Sequence, residues 1–104
     1  MAVQTIETMA EFEAVIKNEA PVVVDFFATW CGPCKVIGPT FELLSSKYNK
    51  VKFVKVDIEK GTEIAEKSTI RSMPTFVFYN GGVEVNRFSG SSVTSLEKHL
   101  EELS

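Results

Sequence analysis

Apolar residues recur along this chain with two periods, near 3.6 and near 2, and the switches between them mark its elements. Val3 to Ile6 is short and β-prone, which predicts a first strand. Thr8 followed by Glu11 is a capping-box pair, and Met9, Phe12 and Ile16 then fall on one helical face. Val22 to Ala28 is β-branched and aromatic throughout except for Asp25, the pattern of a central strand covered on both faces. Ile37, Phe41, Leu44 and Tyr48 return to helical spacing, with Pro39 predicting a kink. Lys52 to Ile58 reads as a second interior strand in which Val54, Val56 and Ile58 share a face. Thr62 to Lys67 reads as a short helix. Thr75 to Tyr79, the turn residues Asn80-Gly81-Gly82, and Val83 to Phe88 form a hairpin pattern. Ser92 is placed to cap a last helix with Val93, Leu96, Leu100 and Leu103 on its apolar side. Strands alternating with helices imply parallel pairing, and the hairpin adds an antiparallel edge. The expected architecture is a mixed sheet between helices, in a single domain over residues 1–104, with no repeat or linker to divide it.

Composition narrows the function classes. The chain is 44% apolar with eight Phe, too rich in core-forming residues for disorder. A net charge of −3 makes the chain a poor nucleic-acid binder, because phosphate contacts need a clustered positive surface, so no nucleic-acid partner is expected. No apolar run approaches the roughly 18 residues of a membrane span, so no membrane partner is expected. The first sixteen residues hold no Lys or Arg but do hold Glu7, Glu11 and Glu13, which fits neither a secretory nor an organelle-targeting segment. Ala2 rules out myristoylation, and Glu101-Glu102-Leu103-Ser104 is neither a prenylation box nor a retention signal. The chain reads as cytoplasmic, a compartment in which thiols are kept reduced.

That compartment makes the two cysteines informative. Cys31 and Cys34 fall where a buried strand gives way to a helix, the end of an open α/β sheet at which chemistry collects. Residues three apart on a first helical turn face the same way, so the two sulfurs can approach bonding distance. Unpaired N–H groups and the helix dipole at that end favour a thiolate. Pro33 sits in the first turn, where its missing N–H is not needed. The first cysteine is expected to be the more exposed and to attack, and the second to be shielded and to resolve a mixed disulfide. A zinc site would need four ligands, and only Cys31, Cys34 and the lone His99 are present, so zinc requires two copies of the chain. A purely structural disulfide across so short a loop restrains little of the unfolded chain. His99 itself falls among polar positions of the last helix and reads as a surface histidine.

Asp25 is the second informative residue. Inside Val-Val-Val-Asp-Phe-Phe-Ala it is either buried, with a raised pKa and a proton-accepting role beneath the helix start, or an edge residue reaching water. Lys55 lies in the neighbouring strand on the face opposite Val54 and Val56. It sits either near Asp25, biasing its ionisation, or in solvent, and the residues alone favour solvent.

The run from Val22 to Pro39, with Asp25, Trp30-Cys31-Gly32-Pro33-Cys34-Lys35 and Pro39, resembles the active-site segment of the thioredoxin family. Met73-Pro74-Thr75, Gly82 and Phe88-Ser89-Gly90 match its further markers in order, and the resemblance spans essentially the whole chain. It implies the thioredoxin fold of the α/β class, a mixed central sheet of about five strands flanked by about four helices. It implies a general protein-disulfide reductase working by dithiol–disulfide exchange, with Cys31 the nucleophile, Cys34 the resolving thiol, Asp25 the buried base and Lys55 its modulator. Pro74 is then expected to follow a cis bond, although the residues alone read Met73-Pro74 as ordinary trans punctuation. Trp30, Gly32, Pro33, Met73, Pro74 and Gly90 are implied to form an apolar docking surface that takes an extended client segment by β-augmentation. For Trp30, burial in the core is the competing expectation. The resemblance further implies no cofactor and no metal, re-reduction by an NADPH-dependent thioredoxin reductase, and a monomer. Its clients would be disulfide-containing proteins such as peroxiredoxin, methionine sulfoxide reductase and ribonucleotide reductase. Pro33 in place of His points to a reductant, Met73 and Phe27 look like the free-standing eukaryotic cytosolic branch, and Ser72 with no third Cys argues against a disulfide-linked dimer. A binding module, whose partner distinguishes the reduced from the oxidised surface, is the competing reading from another class.

Overall fold

The computed structural model describes residues 3–103; Ala2 and Ser104, on which two of the terminal-motif expectations rest, lie outside the described residues. The elements run β1 (Gln4–Thr5), α1 (Met9–Ile16), β2 (Val22–Phe27), α2 (Gly32–Lys47), β3 (Lys52–Asp57), α3 (Thr62–Lys67), β4 (Thr75–Asn80), β5 (Val83–Ser89) and α4 (Val93–Leu103). The order is the expected one, with the strands trimmed or extended by a residue or two.

Local chemistry explains the boundaries. Thr8 caps α1, its hydroxyl accepting from the Glu11 N–H at 3.2 Å while the Glu11 carboxylate accepts from the Thr8 N–H at 3.2 Å. Ser92 does the same for α4, accepting from the Ser95 N–H at 3.1 Å. Gly81 and Gly82 turn the hairpin with φ of 64° and 82°, the left-handed region that a β-carbon penalises. The long helix α2 runs through Pro39 without ending.

Five strands form one sheet in the order β1-β3-β2-β4-β5. β3 pairs in parallel with both β1 and β2, whereas β4 is antiparallel to β2 and β5 antiparallel to β4. β2 is therefore central, hydrogen-bonded on both sides. Strand alternation sends its side chains to two separate cores. Val22, Val24 and Phe26 meet Phe12 of α1 and Ile64 of α3, while Val23, Phe53, Phe76 and Phe78 meet Ile37, Phe41 and Leu44 of α2 and Leu96 and Leu100 of α4. Asp25 shares parity with Val23, and Lys55 with Phe53. Both point beneath α2.

Two expectations about α4 are corrected. Val93 is 40% exposed, so the buried stripe begins only at Leu96. His99 is half-buried rather than on the surface: its ring stacks on Phe78 and Phe88 with centroids 5.2 and 5.1 Å apart. Its Nδ1 lies 2.7 Å from the Ser95 carbonyl oxygen. An imidazole three residues after Leu96 falls on the edge of the apolar stripe, where two Phe rings of the hairpin cover it. Among the described residues no group of His, Cys, Asp and Glu is arranged to hold a metal ion.

Candidate active site

The end of β2 and the start of α2 build the site. The chain turns after Phe27, with the Cys31 N–H donating to the Ala28 carbonyl at 3.2 Å, and Cys31 becomes the N-cap of α2. Cys34 is the third helical residue, and its N–H donates to the Cys31 sulfur at 3.2 Å. A short polar side chain normally fills this N-cap role, so here the helix start is itself aimed at the sulfur. Cys31 and Cys34 are joined by a disulfide, with Cα atoms 5.3 Å apart. When the pair is reduced, the same N–H and the helix dipole favour a thiolate at Cys31.

Exposure does not separate the two cysteines as the sequence suggested. They are 5% and 6% exposed in the disulfide form, covered by each other and by Ala28, Phe27, Ile58 and Met73. Their neighbours separate them instead. The Cys31 sulfur lies 3.7 Å from the Met73 carbonyl oxygen, at the outer face. Cys34 looks the other way, into a cleft of about 470 Å³ whose floor holds Asp25 and whose walls include Lys35, Gly38, Glu42 and Lys55.

Asp25 is 4% exposed, which removes the edge-strand alternative, and its Oδ1 has no hydrogen-bond partner. Burial pushes its carboxyl from 3.8 up to about 7; Lys55 pulls it down and Glu42 adds to the rise. A carboxyl poised there exchanges a proton near neutrality, the property a general base needs. Lys55 is the cross-strand partner of Asp25 in the β2–β3 register. It is half-buried rather than free in solvent: its ammonium lies 3.4 Å from the Glu42 carboxylate and 5.6 Å over the Phe27 ring.

Around the disulfide lies a mixed surface. Trp30 is 62% exposed and so no core residue; its indole N–H donates to Glu59 at 2.9 Å. Gly32 and Pro33 are exposed, and Met73 and Gly90 are half-buried. The Met73–Pro74 peptide bond is cis. Pro74 departs from the expected docking surface, because its ring is buried. Its carbonyl accepts from the Gly90 N–H at 2.9 Å, and Gly90 has a φ of 107°, open only to glycine without strain. Thr75 ties the same corner, its hydroxyl 2.6 Å from the Ser72 carbonyl oxygen and 2.8 Å from the Ser89 hydroxyl.

The family model for thioredoxin matches residues 3–102. The chain belongs to the thioredoxin family. It is 42% identical over 103 residues to the thioredoxin of Gallus gallus, covering 97% of this chain and 98% of that one. It is 42% identical over 99 residues to thioredoxin 1 of Plasmodium falciparum, covering 95% of each. A solved structure of Plasmodium falciparum thioredoxin superposes with a TM-score of 0.95 at 41% identity, covering 98% of this chain and 100% of the other. Thioredoxins are thiol–disulfide oxidoreductases, and this chain carries the redox-active pair at Cys31 and Cys34. It is a protein-disulfide reductase of that family, re-reduced through an NADPH-dependent reductase.

Two residues of the site escaped sequence reading. Glu59 reaches the indole of Trp30 from the loop after β3, a pairing that no spacing announces. Glu42 was legible in principle: Cys34, Gly38 and Glu42 recur every four residues and form one row along α2, with the glycine leaving the row open between its ends.

Proposed function

We propose that this single-domain chain is a cytoplasmic, monomeric reductant of client proteins in which Cys31 attacks, Cys34 resolves and Asp25 takes the resolving proton. The observation that carries the reading is the division of surroundings: Cys31 caps the helix beside the Met73 carbonyl, whereas Cys34 shares the buried cleft with Asp25. The Cys31 thiolate attacks one sulfur of a client disulfide; that S–S bond breaks, and the other client sulfur leaves as a thiolate. Asp25 accepts the Cys34 proton, and the Cys34 sulfur attacks Cys31 in the mixed disulfide. The second client thiolate departs, two electrons have passed to the client, and the Cys31–Cys34 disulfide remains. Thioredoxin reductase returns it to the dithiol with electrons from NADPH, so the chain needs no cofactor of its own. Lys55 modulates Asp25 from the adjacent strand.

An extended client segment would pair with the Met73 backbone and lie across Trp30, Gly32, Pro33 and Gly90, with Pro74 shaping that corner from beneath. Its clients are disulfide-containing proteins of the peroxiredoxin, methionine sulfoxide reductase and ribonucleotide reductase kind. A solved relative at 36% identity comes from work on the "thiol resolving mechanism in yeast mitochondrial 1-Cys peroxiredoxin via glutathione/thioredoxin systems", which supports the first of these. Among the described residues no helix is long and apolar enough to cross a membrane.

The division of roles has a direct test. Incubated reduced with a disulfide-bonded client, Cys34→Ser should accumulate a mixed disulfide that peptide mapping places on Cys31. Cys31→Ser should accumulate little. The reverse pattern would exchange the two assignments.

A further inference from the structure

The cleft holds a carboxylate that the exchange chemistry does not use. Glu42 projects from α2 toward the cleft mouth and has a partner for each oxygen: Oε1 accepts from the Val3 N–H at 3.4 Å, and Oε2 lies 3.4 Å from the Lys55 ammonium. It thereby joins three elements, the start of the chain, α2 and β3, around one cation. Lys55 stands directly opposite Asp25 in the sheet, and Asp25 Oδ1 is left without a hydrogen bond. The ammonium is thus held by Glu42 rather than by the carboxyl that needs a partner more.

We propose that Glu42 is a positioning residue for the proton-transfer step, holding Lys55 at the mouth of the cleft so that Asp25 keeps a proton affinity suited to taking the proton of Cys34. The proposal rests on the reading of Asp25 as the base. The charged and titratable groups around Asp25 are few. From α2 they are Cys34, Lys35 and Glu42, and from β3 Lys55; β4 places Phe76 opposite Asp25 and contributes no titratable group to the cleft. An unpaired Lys55 would draw down the proton affinity of Asp25, since an opposite charge within about 4–6 Å favours the ionised form. Glu42 opposes that twice, by pairing the cation and by its own negative charge. The desolvated floor makes both effects larger than they would be in water.

Glu42→Gln keeps the shape and the Val3 acceptor but removes the charge. In the oxidised protein the cysteines do not titrate, so the Asp25 carboxyl carbon can be followed by NMR across the pH range. Expected in Glu42→Gln is a fall in Asp25 proton affinity of about tenfold, a midpoint lowered by about one unit. Lys55→Gln should shift the midpoint the opposite way, the double variant should return toward the parent, and Glu42→Asp should recover part of the effect. An unchanged midpoint in Glu42→Gln, or shifts of the same sign in both single variants, would overturn the proposal. A merely structural role for Glu42 would lower the melting temperature without ordering the midpoints in this way. The rate at which Cys34 resolves a preformed mixed disulfide is measured on the same variants. If the midpoint moves and the rate profile does not follow, the base reading of Asp25 fails while the control by Glu42 stands.

Discussion

Asp25→Asn should make the protein more stable at about pH 8, and leave its stability almost unchanged at about pH 4. The sign follows from burial. The Asp25 carboxyl ionises near 3.8 in an unfolded chain and near 7 in the folded one. Below the first value both states carry the proton, and pH has no leverage through this group. Between the two values the unfolded chain releases the proton and the folded one keeps it, so stability falls as pH rises. Above about 7 the folded protein holds a buried carboxylate and the full penalty is present. Three units correspond to about 4 kcal/mol at most, since one unit is about 1.4 kcal/mol. Asn removes the ionisation while keeping the size of the protonated acid. Denaturant unfolding of both proteins at the two pH values checks this; an equal difference at both, or a less stable variant at the higher pH, contradicts it. The same substitution removes the proposed proton acceptor, and general-base assistance is worth roughly 10²–10⁴-fold. Resolution of a mixed disulfide by Cys34 should slow toward that range near neutrality while formation of the mixed disulfide proceeds normally.

Cys31→Ser should abolish client reduction, with a loss of at least about a thousandfold, because the proposed nucleophile and resolver act as a unit. A serine hydroxyl does not ionise near neutral pH and forms no disulfide, so neither the attack nor the transfer of two electrons remains. Cys34 keeps its thiol but not its opportunity. It lies inside the first helical turn facing the cleft, while the Cys34 N–H and the helix start are aimed at position 31. The double variant with both cysteines replaced should be no worse than Cys31→Ser alone, the non-additivity expected of groups serving one step sequence. The readout is insulin disulfide reduction followed by turbidity. Substantial turnover in Cys31→Ser would contradict the assignment.

Periodicity carried most of the fold. The interior strands and the helices α1, α2 and α4 were legible because their core faces repeat at their own periods. β1 was read from β-propensity and the hairpin from its turn residues, and the capping residues Thr8 and Ser92 marked two helix starts. Missteps arose where the outcome depends on what packs across from a residue. His99 looked polar on its own helix, yet the rings of Phe78 and Phe88 come from the hairpin. Val93 has the right spacing for the stripe but, as the first residue of α4, stays exposed. At the site, Asp25 announced itself by breaking an apolar strand, but its state depends on Lys55 and Glu42, which the register of β2 on β3 and the row along α2 bring to it. The cis bond before Pro74 came from family resemblance; the local residues favour trans. The relative exposure of the two cysteines was misjudged because the disulfide makes each a lid on the other.

The central claim, that electrons pass from NADPH through the Cys31–Cys34 pair to a protein disulfide, is tested most directly by one coupled assay. The protein is supplied in catalytic amount with thioredoxin reductase, NADPH and insulin, and NADPH consumption is followed against insulin thiols formed. The expected result is many turnovers per molecule, with one NADPH consumed for each insulin disulfide opened. Insulin left intact while the reductase keeps Cys31 and Cys34 reduced, or NADPH consumption unchanged when both cysteines are replaced by Ser, would contradict it.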